Sequence, residues 1–189
     1  MLPVPIETLR VRIGLESSDA SRDTDIQTAS DTALALMAIY CDRYFDELIG
    51  GTEIFTHVSG ETLGLKRYPV TQIQSMVDSN TNDVSAYHLG ELTGIIHFDV
   101  PGRFHELTVV TDAGYAEGEF PDDLMVAYYQ IFDQQMLAIE TGGQSASNIE
   151  SVTVADVGTV RYGSTDASSG SYVPPLSQSI LDAYKRYEA

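Results

Sequence analysis

The sequence has 189 residues, an apolar fraction of 43%, and 28 acidic against 10 basic side chains, for a formal net charge of -18. That length accommodates one domain with a real core, and apolar residues recurring along the chain exclude global disorder. Such an acid excess is repelled by nucleic-acid phosphates, which argues against classical DNA or RNA binding and for a basic partner or a surface that DNA passes without sticking.

In chain order, Pro5 to Gly14 predicts a short helix: Pro5 suits a first turn, Leu9 and Ile13 share a face, and Gly14 suits the end. After a polar connector, Thr24 and Gln27 fit a capping box, and Ile26, Ala29, Ala33, Leu36, Met37, Tyr40 and Tyr44 recur at helical spacing, predicting a helix to about Phe45 before Gly50-Gly51. From Thr52 to Asp112 the period becomes strand-like, with runs at 52–58, 70–77, 94–98 and 106–111. Ser59-Gly60, Asp78-Ser79-Asn80, Pro101-Gly102 and Ala113-Gly114 read as the turns between them. Pro121, Asp122 and Asp123 suit the start of a long helix that is apolar on nearly every side, so it is expected to pack on the second helix and on a neighbouring subunit through Met125, Tyr129, Phe132 and Met136. Gly142-Gly143 ends it, Ser151 to Tyr162 reads as extended, and residues 163–170 are small and polar. A last helix after Pro174-Pro175 carries Leu176, Ile180, Leu181, Tyr184 and Tyr187, with Lys185 and Arg186 suited to its negative end.

The expected class is therefore α+β: a helical core at 5–48, 120–141 and 175–188, an inserted antiparallel β subdomain at 49–118, and a flexible or extended arm at 142–174, all in a single domain spanning 1–189. Val152, Val154, Val157, Val160 and Tyr162 are the candidate docking residues of that arm.

No pattern makes a convincing active site. Cys41, the lone cysteine, excludes an intrachain disulfide, suits a reducing compartment and reads as a small core residue on the second helix. His97 and Asp99 would share a strand face and with a third ligand hold a metal; the plainer reading is a solvated face. Asp19, Asp23 and Asp25 lack the glycine and closing glutamate of a calcium loop. No nucleophile elbow, phosphate loop or dinucleotide fingerprint is present, so neither an enzyme nor a cofactor is expected. The start of the chain lacks the regions of a signal peptide, and no apolar run approaches the ~20 residues of a bilayer span, so synthesis in the cytoplasm without membrane contact is expected.

Five segments in order resemble the head–tail connector (adaptor) family of tailed bacteriophages: Tyr40 to Phe45 with its aromatic-Cys-x-Arg helix end, Leu63 to Ile73 around Pro69-Val70, Val109 to Tyr115, Phe120 to Ala127, and Ile180 to Tyr187. The resemblance runs from about residue 6 to 187; Asp112 stands where the family often has an aromatic, and 142–173 is the least family-like stretch. It implies a structural protein of the virion neck, made in the host bacterial cytoplasm, that docks beneath the portal protein as a ring of copies, a dodecamer when assembled. The ring would extend the channel through which DNA passes without specific binding and would receive the downstream stopper or tail protein during genome ejection. The alternatives are another neck component (stopper or tail terminator), a small metal-dependent enzyme built on His97 and Asp99, and a regulatory binding protein with an acidic surface.

Overall fold

A computed structural model describes residues 2–141, 151–154, 158–161 and 173–186. The described elements are α1 (Ile6–Arg12), α2 (Asp23–Cys41), β1 (Leu48–Gly64), β2 (Val70–Asp78), β3 (Tyr87–Gly90), β4 (Ile95–Ala113), α3 (Asp122–Glu140), β5 (Ser151–Val154), β6 (Gly158–Arg161) and α4 (Pro175–Leu181), the last running into a 3-10 turn at Asp182–Tyr184. The class is α+β, as the two periodicities of the sequence predict.

The helical layer is built on α2 and α3. Ile26, Ala29, Ala33 and Met37 bury one stripe of α2 against Leu124, Ala127, Tyr128, Ile131, Phe132 and Met136 of α3. Alanines on the α2 side let the α3 aromatics come close. The two helices run antiparallel: Arg22 before α2 pairs with Glu140 at the end of α3, while Phe45 beyond α2 meets Phe120 just before α3. α1 adds Leu9 and α4 adds Leu181 to the same core. The predicted capping box does not form. α2 begins at Asp23 with no side-chain cap; Gln27 instead donates to Asp31. Arg10 holds Asp23 through two hydrogen bonds of 2.8 and 2.6 Å, so a tertiary ion pair occupies the first turn.

β4 is the spine of the sheet. It pairs antiparallel with β1 along one side and with β2 and β3 on the other. Leu107, Val109, Thr111 and Ala113 alternate onto the buried face and pack with Leu63, Leu65, Val70, Met76 and Ile96. Two predicted turns lie inside strands. Pro101-Gly102 sits within β4, where the register against β1 jumps from Gly60↔Gly102 to Thr62↔His97. There the backbone leaves the ladder for a few residues, so the proline displaces no ladder bond. Ser59-Gly60 lies at the same irregularity on β1. The strand β3 went unpredicted, because its four residues are too short to show a period.

Two helix ends also differ from expectation. α2 stops at Cys41, since Asp42 adopts the left-handed conformation (φ 51°) and turns the chain into the sheet; Gly50-Gly51, read as a stop, is a bulge in β1. The last helix ends short of 188 because the Arg186 N–H donates to the Cys41 carbonyl. Ser151 to Tyr162, read as one extended run, contains two antiparallel strands, β5 and β6, forming a ribbon separate from the main sheet. Pairing satisfies backbone groups that a lone strand would leave open.

Candidate assembly surface

The segment after α2 joins the helical layer to the sheet. Arg43 is 4% exposed and makes no ion pair among the described residues. Its guanidinium stacks 3.3 Å from the Tyr68 ring centroid and 4.7 Å from that of Phe45, and donates to the Tyr68 carbonyl. Ring faces and a carbonyl dipole thus replace the water that burial removed, and burial holds its pKa below the ordinary arginine value. Backbone bonds complete the joint: Tyr44 N–H to the Lys66 carbonyl, Tyr115 N–H to Phe45, and Gly114 N–H to Pro69. Phe45, Tyr115, Phe120 and Tyr184 form an aromatic cluster beside it, and the Tyr184 hydroxyl donates to Asp123 at 2.6 Å.

Tyr44 turns outward and stays half exposed. Shallow cavities of about 200, 160 and 110 Å³ adjoin it, walled by Ala35 and Ala38 of α2, Lys66, and Leu48 and Gly51 of β1. Ile39, Leu48, Ile49 and Ile54 are also exposed, and Ile39 and Leu48 line these cavities. Among the described residues β1 has only β4 as a strand partner, so its outer edge is open.

The predicted packing residues of α3 divide. Phe132 and Met136 are buried in the chain's own core. Met125 and Tyr129 are partly buried, with Arg12 4.2 Å over the Tyr129 ring, while Val126 and Leu137 are exposed. An apolar-all-round helix is here covered on two sides by α2 and α4, leaving a narrower outer face. Of the predicted arm residues, Val152, Val154 and Val160 lie on β5 and β6; Val157 and Tyr162 lie outside the described residues.

Cys41 is buried, with its thiol donating to the Leu181 carbonyl at 3.5 Å, and desolvation pushes its pKa up to about 12, the reverse of an activated nucleophile. Asp99 lies 3.2 Å from His88 Nε2, and no group of three His, Cys, Asp or Glu able to hold a metal occurs among the described residues. The acidic connector is likewise engaged internally: Asp23 by Arg10, Asp25 by Arg22, and Asp19 by the Ser21 N–H. Lys185 pairs with Asp182 in the closing turn of its own helix, while Arg186 reaches across to Asp42. Arg10, Arg12, Arg22, Arg67, Lys185 and Arg186 are thus paired within the chain, while Lys66 and Arg103 are exposed and make no ion pair among the described residues. The outward field is therefore strongly negative. No described helix is long and apolar enough to cross a membrane.

No family model and no curated protein matches the sequence. Solved structures do match the fold. A chain in the neck of an empty gene transfer agent (GTA) particle, computed with C6 symmetry, is 13% identical with a TM-score of 0.56, over 99% of this chain and 91% of that one. This chain has the fold of that neck protein. A chain from the virion of the native GTA particle is also similar, at 13% identity and TM-score 0.52, over 93% of this chain and 84% of that one. The likeness spans helices and sheet together, not the sheet alone.

Proposed function

We propose that the chain is a head–tail adaptor: a structural protein of a phage-like virion neck that docks beneath the portal as a ring of its own copies, extends the DNA channel and receives the next neck protein. The observation that carries this reading is the fold shared with a neck chain over nearly the full length of both. The surface supports it. Exposed apolar residues occur on α2, β1 and the outer face of α3. On this reading Met125 and Tyr129, with Val126 and Leu137, contact a neighbouring copy, and the segment 142–174 is the arm that engages the portal or the next adaptor. Carboxylates such as Asp19, Glu91 and Glu117, on three separate connections, face the channel and keep DNA moving.

The test is direct. The full chain mixed with its portal should add one ring to the portal in electron micrographs, and absence of that ring refutes the adaptor role. Replacing residues 148–172 with a Gly/Ser linker of equal length, which spares the buried Val173, should leave a folded protein that no longer joins the portal. Unchanged joining would remove the arm from the proposal.

A further inference from the structure

The basic side chains of this acidic chain are unevenly placed. Five of the ten gather where α2 runs out. Arg43 follows the helix end directly, Arg67 lies 5.0 Å over the Tyr44 ring, Lys185 lies 4.5 Å over the Tyr40 ring, and Arg186 reaches Asp42. The Lys66 carbonyl accepts the Tyr44 N–H, and Lys66 walls two of the three cavities that meet at Tyr44. The negative end of a helix favours such a gathering.

The carboxylates around this helix end are already answered. Asp31 accepts from Gln27, Asp42 pairs with Arg186, Asp46 with Arg67 at 2.7 Å, and Asp182 with Lys185 at 2.8 Å. Both Glu53 oxygens accept the Lys66 main-chain N–H. The Lys66 ammonium, by contrast, is exposed and makes no ion pair among the described residues. Arg43, likewise without an ion pair among them, lines the same cavity of about 160 Å³.

Beside that ammonium the groove is apolar. Tyr44, 49% exposed, stands where the cavities meet, with Ile39 and Leu48 exposed on their walls and Ala38 shared by two of them. An aromatic ring and aliphatic walls next to one free charge suit an apolar side chain with a neighbouring ion of opposite sign. The net charge of -18 makes the choice of sign consequential. A basic segment is drawn to carboxylates over the wider surface, whereas an acidic one is repelled by it. At Lys66 that preference reverses, so the groove selects an acidic segment that the wider surface turns away.

We infer that the Tyr44 groove receives an acidic segment of a partner protein, in which an apolar side chain packs on Tyr44 and an adjacent carboxylate pairs with Lys66. Within the adaptor reading this names the chemistry of one contact with an adjoining neck protein, and it rests on that reading only for the partner's place in the particle.

The probe is the capped peptide acetyl-Gly-Leu-Glu-Leu-Gly-amide, titrated to about 1 mM into the full chain while amide shifts are followed by NMR. The expected result is saturable shifts centred on Ala38, Tyr44 and Lys66, with binding about fivefold weaker when the glutamate of the peptide is replaced by glutamine. Lys66→Gln changes an exposed side chain, and should cost the glutamate peptide about the same factor while leaving the glutamine peptide unaffected. Equal binding of the two peptides to the unsubstituted chain, shifts centred elsewhere, or no shifts at all overturns the inference. So does a dimer of the chain alone that Lys66→Gln dissociates, because a second copy then fills the groove. Peptide binding that begins only after residues 187–189 are removed overturns it too, because the chain's own Glu188 is then the occupant. Portal rings that form while the peptide fails to bind leave the adaptor reading standing. Peptide binding without any portal ring supports the groove assignment and overturns the adaptor reading.

Discussion

Arg43 shows what one buried cation does in this fold. With no carboxylate beside it among the described residues, its desolvation is offset by two ring faces, the Tyr68 carbonyl and the nearby Tyr115. Replacing it with alanine opens a cavity and strands the Tyr68 carbonyl, and should lower unfolding free energy by about 3 kcal/mol in urea titrations. Arg43→Lys should recover little of this, because an ammonium cannot stack flat between two rings. Cys41 predicts a pH dependence. Burial raises its pKa from an ordinary 9.0 to about 12, and burial also raises Tyr128 to about 12. Both acids keep their protons longer folded than unfolded. Their contribution to stability is complete below pH ~9 and is lost as pH rises toward ~12, by up to about 1.4 kcal/mol per pH unit for each group titrating. Denaturant midpoints measured from pH 8 to 11 should fall, and Cys41→Ala should make the first part of that fall shallower.

Between α2 and α3 the Ser30 and Tyr128 hydroxyls meet deep in the helical core, 2.7 Å apart. Tyr128→Phe leaves the Ser30 hydroxyl without its partner and should cost about 1–2 kcal/mol. Adding Ser30→Ala should cost less than it does alone, and a denaturation cycle showing no coupling between the two would assign the helix pairing to apolar packing only. At this scale the long helices were legible in the sequence because their apolar spacing persists for five turns. The strands were legible where alternation lasts, as in Val70 to Val77. What escaped is local chemistry overruled by contacts distant in sequence. Thr24 and Gln27 satisfy the capping pattern, yet Arg10 occupies that turn. Pro101-Gly102 has turn composition, yet β4 continues through it because the pairing with β1 shifts register there. The segment holding β5 and β6 was visible as extended, whereas the open edge of β1 was not. Whether a strand has a neighbour depends on the order of strands in the sheet.

For the whole molecule, charge is the dominant surface property. Most cations are internally paired, so the unpaired carboxylates set the outward field. A ring of such copies should present a negative lumen, and a reconstruction of the assembled neck with a neutral or basic lumen at this layer would remove DNA repulsion from the proposed role. The five family-like segments acquire a physical meaning here. Tyr40 to Phe45, Leu63 to Ile73, Val109 to Tyr115, Phe120 to Ala127 and Ile180 to Arg186 meet at the joint between helices and sheet, through Arg43, the Tyr68 carbonyl, Gly114, Phe120 and Arg186. They mark how the helical layer and the sheet are held together. The sequence by itself determined the acid excess, the α+β class and the two principal helices, because composition and periodicity are local properties of a chain. Only the tertiary structure decided that α2 ends at Asp42, that Phe132 and Met136 belong to the chain's own core, and that β1 keeps an open edge. Each of those depends on which distant segment arrives to satisfy a backbone group or cover a side chain.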